Sequence, residues 1–258
     1  MKFFHSVLKG SYIAKFGIKL TLLFLFLISF LLISHSSASE INETDCGIDG
    51  CKIKFVSRYE AYIACEAVNR THKFFKKYGY EINPQITIEF VKNTKKTNTG
   101  EHPCWLTPND FPAWYDSGKK CILITSRETD YCWNRKFFGV FILDIEFITS
   151  IVTHEVAHRF FDHILKSKKE TTSHGFHEFV AYITQIETMA EAHQSLILSL
   201  WPKERLPSVF AANSFFCKAN PNKFGVLSYR FFRSQPEIFK QILDGKIKPI
   251  EKQFILDY

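Results

Sequence analysis

At 258 residues, 46% apolar and 16% aromatic, the chain is long enough for one well-buried domain and too apolar for a disordered one. Its formal net charge of +7 is concentrated at the start: residues 1–39 carry four lysines and no acid, so the rest carries about +3. With only short pairs such as Lys95-Lys96 and Lys168-Lys169 beyond that point, no basic surface for nucleic acid is indicated.

In residues 1–39, Lys2, Lys9, Lys15 and Lys19 precede a mostly apolar run from Leu20 to Ile33, followed by Ser36-Ser37-Ala38-Ser39. This is the pattern of a secretory signal peptide, with cleavage after Ala38 or Ser39. The run is shorter than the ~20 residues of a comfortable membrane span, although an uncleaved anchor is the alternative. The expectation is a periplasmic or secreted protein that meets a membrane only through this segment, if it is retained. All seven cysteines lie beyond it, which allows three disulfides and one thiol. Cys46 and Cys51 are close enough to close a small loop, Cys104 and Cys132 could staple an irregular segment, and Cys65 reads as buried on a helix. There is no CxxC pair to suggest a cysteine-based zinc site.

Residues 40–57 read as an extended polar entry. An apolar face recurs at helical spacing from Arg58 to Tyr78, and Ile86–Val91 alternates as a strand. Residues 93–119, with Pro103, Pro108 and Pro112, read as one long loop. Cys121–Thr125 is a second strand, and about Ile142 to Leu165 a strongly apolar helix. Gly175 then breaks the chain before a helix from His177 to His193. Short helices punctuated by Pro202, Pro207 and Pro221 follow, the last opening at Pro236 and stopping near Gly245. The fold class is α+β: a small mixed sheet packed on the apolar helix, then a mainly helical part, with 58–258 as one domain.

The apolar helix carries His154-Glu155-Val156-Ala157-His158. Positions i and i+4 share a helix face, so both imidazoles can grip one metal ion, with Glu155 beside the open position as general base. Burying these groups among Ile, Val and Phe without a partner would be costly, and a metal removes that cost. A catalytic zinc needs a third protein ligand. The metzincin continuation fails twice, because its Gly and His positions hold Phe161 and Ile164. Asp162 shares the face but lies about 6 Å further along the axis, where it more plausibly orients a neighbour or faces solvent. Glu178, twenty positions after His158 on the next helix, can face the histidines across an antiparallel pair, and Ala181 permits close approach. His163, His174 and His177 read as surface or supporting residues, with His177 the best placed to support a ligand.

Over residues 140–195 the chain resembles the gluzincin metallopeptidases, in which an HExxH helix is followed by a glutamate on a second helix. His177-Glu178-Phe179-Val180-Ala181 is loosely similar to the N-E-G-F-A pattern of the aminopeptidase branch, from which His177, Phe179 and Val180 depart. The chain also looks like a small exported bacterial family with a minimal zincin domain. The resemblance implies Zn2+ held by His154, His158 and Glu178, with Glu155 activating a water against a peptide carbonyl in a peptide or protein substrate. It also implies that the strand Cys121–Thr125 borders the cleft as a peptide-binding edge. A further donor for the oxyanion is expected at Tyr229, with His193 and Tyr182 as weaker choices. The alternative is a zincin-type zinc-binding domain without turnover.

Overall fold

The stretch expected as a polar entry builds two strands. β1 (Asn42–Thr44) runs antiparallel to β2 (Cys51–Phe55), and β2 pairs in parallel with β3 (Ile86–Val91). The cause is a brief period-2 alternation, in which Cys51 and Ile53 are buried and Lys52 is exposed. These strands belong to a computed structural model that describes residues 41–91, 113–126, 136–141 and 144–248. The expected signal segment, Cys104, Cys132 and the prolines at 103, 108 and 112 lie outside the described residues.

β2 and β3 are joined by α1 (Arg58–Lys77), the helical crossover that a parallel pair requires. Its start is fixed by a capping box: the Ser57 side chain accepts the Glu60 N–H, and Glu60 accepts the N–H of Ser57 and of Val56. Ser126 also donates to Glu60 at 2.7 Å, tying the helix start to the chain beyond the third parallel strand. Cys65 on α1 is only partly buried, and it forms a disulfide with Cys46. The expected Cys46–Cys51 loop is therefore replaced by a bridge from the β1–β2 turn to the helix. Cys51 is a free buried thiol because its side chain points into the sheet core. Cys121 is disulfide-bonded as well.

The sheet continues from β3 to β5 (Cys121–Thr125), again parallel, and ends at β4 (Ala113–Asp116), antiparallel to β5; the order is β1-β2-β3-β5-β4. β4 occupies part of the stretch expected as loop. It also displaces β5 from the edge: β5 is buried at every position and hydrogen-bonded on both sides, so it cannot offer a free edge to a peptide. A separate ribbon joins β6 (Lys136–Phe137) to β7 (Val140–Phe141).

α2 (Ile145–Ser167) carries the motif. The Asp144 carboxylate caps it by accepting the Phe147 N–H at 3.0 Å. The helix is apolar almost all round because it packs against α1, β4 and β5, and against α3 (His174–Glu187). α3 starts three residues earlier than expected, at the Ser173 cap, and Gly175 lies inside its first turn. A Cβ on Gly175 would stand 2.5 Å from the Ala212 carbonyl oxygen, so a close backbone crossing accounts for the glycine. The helix expected to reach His193 is two helices, α3 and α4 (Glu191–Ser199), split at Thr188–Ala190.

The remainder is helical, as expected: a 3-10 turn at Val209–Ala211, α5 (Ser214–Ala219), α6 (Pro221–Ser234) and α7 (Pro236–Leu243). Proline opens both α6 and α7, where its missing N–H has no partner to lose. Phe74, Tyr78, Phe232 and Phe239 interlock α1, α6 and α7 at ring separations of 4.8 to 6.5 Å. The fold class is α+β, with a mixed sheet on one side of α2 and helices on the other. Among the described residues no helix is long and apolar enough to cross a membrane.

Candidate metal centre

α2 and α3 bring three donors to one point. His154 Nε2 and His158 Nε2 are 3.2 Å apart. Glu178 faces both, with Oε2 3.3 Å from His154 Nε2 and Oε1 3.4 Å from His158 Nε2. Both histidines are 8% exposed, and the three donor atoms all lie within 4.8 Å of one another, a group able to hold a metal ion.

The donor atoms are held in the state a metal requires. His154 Nδ1 is 3.1 Å from the Gln185 side-chain oxygen, and Gln185 Nε2 donates to Ser150 Oγ at 3.3 Å. The Ser150 hydroxyl spends its own proton on the Phe147 carbonyl, so its oxygen can only accept there. That fixes the amide orientation: Nδ1 of His154 must donate, and the Nε2 lone pair points at the group. Gln185 lies seven positions after Glu178, two turns along the same face of α3.

The carboxylate is matched to positive charge. Burial alone would raise the Glu178 carboxyl, but the adjacent His158 and His154, which carry charge only when protonated and then stand in for a metal cation, outweigh it and hold the group well below the usual carboxylate range. Glu155 is partly exposed on α2. Burial pushes its carboxyl up to about 7; His158 opposes this, and the nearby Glu178 charge reinforces it. The main-chain N–H of Tyr115 on β4 is directed at the same carboxylate and favours its ionised form. His177 is neutral, pushed down to about 4 by burial and then by His158; it packs 6.0 Å from the His158 ring and 5.0 Å from Phe161. The exposed His174 borders the group, with Nδ1 3.7 Å from Glu178 Oε1.

Tyr229 is not brought to this site. It is fully buried, and its hydroxyl donates to Glu187 Oε2 at 2.8 Å near the far end of α3, with Arg233 donating back at 3.1 Å. It is committed to tying α6 to α3. His193 is likewise engaged elsewhere, 2.8 Å from Asp144 at the cap of α2. A tyrosine that does reach the group is Tyr182, whose ring meets the His154 ring edge-on at 4.5 Å. Burial keeps it a phenol, and the Glu178 and Glu155 charges add to that. Its ring is seated against Gly225 of α6, where a Cβ would stand 2.6 Å from Tyr182 Cδ1.

Asp162 is not part of the donor group and does orient a neighbour, accepting the Tyr115 hydroxyl at 3.0 Å and Lys166 Nζ at 2.7 Å. Tyr115 and Gln185 were not picked out by the sequence. Gln185 had a usable signal in its helical spacing from Glu178. Tyr115 had none, because its place depends on strand pairing.

Fold and site thus define an α+β chain with a buried two-histidine, one-glutamate group that can hold a metal ion. The chain matches the model of a family described as a family of unknown function (DUF6639) over residues 53–252, and it belongs to that family. No curated protein and no solved structure matches it.

Proposed function

We propose that the protein is an exported zinc-dependent metallopeptidase of the gluzincin type. One observation carries the reading: His154, His158 and Glu178 each offer a ligand atom, all within 4.8 Å of one another, with the two imidazole nitrogens 3.2 Å apart. Zinc bonds of about 2.0–2.1 Å to imidazole nitrogen and carboxylate oxygen put tetrahedral neighbours about 3.3–3.4 Å apart. Three protein donors leave the fourth position to water or substrate, as in catalytic rather than structural sites. Zinc held there supplies Lewis acidity and a water acidified toward a pKa of about 7.

The chain's own residues supply the rest. Glu155 takes the proton of the attacking water and returns it to the leaving nitrogen. β4, the terminal strand on the side of α2, is the edge against which an extended peptide would pair, in place of β5. Tyr182 replaces Tyr229 as the phenol that could donate to the developing oxyanion. The signal-like segment at 1–39 supports export, as does the Cys46–Cys65 disulfide.

The test compares wild type with Glu155→Gln for bound zinc and for cleavage of a quenched fluorescent peptide library. The expected result is one zinc in each and cleavage reduced by about 10²–10⁴-fold in the variant. Wild type that binds zinc and cleaves nothing would favour a zinc-binding domain without turnover. Glu178→Ala should sharply lower zinc content, and an unchanged stoichiometry would remove it from the ligand set.

A further inference from the structure

Asp162 lies one turn beyond His158 on α2 and turns its carboxylate toward the sheet, where Oδ2 accepts the Tyr115 hydroxyl at 3.0 Å. Tyr115 sits on β4, opposite Ile122 of β5. Its ring lies nearly parallel to the His158 imidazole, with 9° between planes and 6.3 Å between centroids. Its main-chain N–H is directed at the Glu155 carboxylate. One residue of the terminal strand therefore meets α2 at positions 155, 158 and 162, which share a helix face. The Arg159 guanidinium also approaches the Tyr115 hydroxyl, and its Nε is anchored on the Gln85 carbonyl at 2.7 Å. β4 has four residues and is hydrogen-bonded to β5, so its height over α2 is set by these side-chain contacts as much as by the sheet.

We propose that Asp162 is a positioning residue: by holding the Tyr115 phenol it seats β4 on the metal helix, and so places the N–H that faces Glu155. The ion pair with Lys166, whose side chain is 54% exposed, is then incidental to its role. The proposal rests on the reading of Glu155 as general base, but not on peptide turnover.

The test uses acetohydroxamate, a zinc chelator whose hydroxyl lies against the general base, titrated calorimetrically into the zinc-loaded full chain. Tyr115→Phe, the mildest change, and Asp162→Ala should each weaken binding about tenfold, the factor that 1.4 kcal/mol represents. Asp162→Asn keeps an acceptor for the phenol and should stay within about twofold of wild type, the order of scatter expected between uncoupled sites. In a Glu155→Gln background, Tyr115→Phe and Asp162→Ala should have no further effect, since all three act through one carboxylate. Equal losses in both backgrounds, or no loss with Tyr115→Phe, overturn the proposal. A Glu155→Gln variant that binds acetohydroxamate as well as wild type overturns it too, by removing its base. A chain that passes these tests yet cleaves no peptide keeps the positioning role and loses the peptidase reading.

Discussion

Gln185 does for His154 what no residue of the HEVAH motif can do for itself: it selects the tautomer. Replacing it with leucine keeps the volume but leaves Nδ1 and Ser150 Oγ without their shared partner. Zinc affinity should fall about 10–100-fold, the usual cost of losing a group that orients a ligand. Competition with a chelator of known affinity measures it, and an unchanged affinity would mean that packing alone holds the ring. At this scale the sequence was most legible where a helix dictates spacing. His154 and His158 follow from i and i+4, and Glu178 from a facing helix. Tyr229 misled by its height and not by its face: it shares a face of α6 with Gly225 but lies one turn further along, so its hydroxyl meets Glu187 at the end of α3, whereas Gly225 meets the site through Tyr182.

At the scale of elements, α6 approaches α3 closely enough that only glycine fits at 225. An alanine Cβ there would press on the Tyr182 and Phe138 rings, at 2.6 and 2.9 Å. Gly225→Ala should therefore destabilise by roughly 1–3 kcal/mol, an overpacking cost. Relief must come from Tyr182, so the ring should also leave its contact with His154. Urea unfolding measures the first effect, and histidine ring chemical shifts the second. A neutral substitution would show that the two helices can slide apart freely. The same scale explains why the strands were only half legible. β3, an alternating segment, and β5, an apolar run, match their expected bounds, Ile86–Val91 and Cys121–Thr125. β2 hides behind two lysines, and β4 holds only four residues inside a proline-containing stretch, so neither offered a period long enough to read. Which strand lies at the edge is a property of pairing order, and no single segment encodes it.

For the molecule as a whole, three separate helices meet at one carboxylate. Glu146, in the first turn of α2, accepts two hydrogen bonds from Arg70 of α1, at 2.6 and 2.9 Å. It also accepts the main-chain N–H of Ala190, the residue before α4, at 2.7 Å. Its side chain is 16% exposed, so solvent screens the arrangement only weakly. Burial by itself would raise the Glu146 carboxyl, but the Arg70 and Ala190 hydrogen bonds and the Arg70 charge outweigh it and lower the pKa in the folded state. A carboxylate whose pKa is lower folded than unfolded binds more protons when unfolded. Its contribution is complete above the unfolded value of about 4.3 and is lost as pH falls through the lower, folded value. Charged hydrogen bonds of this kind contribute roughly 1.5–3 kcal/mol. Glu146→Gln should therefore lower the urea midpoint clearly at pH 7, and the gap to wild type should narrow steadily below about pH 4.3. Working with metal-free protein keeps zinc release out of the comparison. A gap that stays constant down to pH 3 would show that shape, and not charge, makes the junction. The junction matters for the site because α2 carries His154, Glu155 and His158, and Arg70–Glu146–Ala190 fixes that helix at its start.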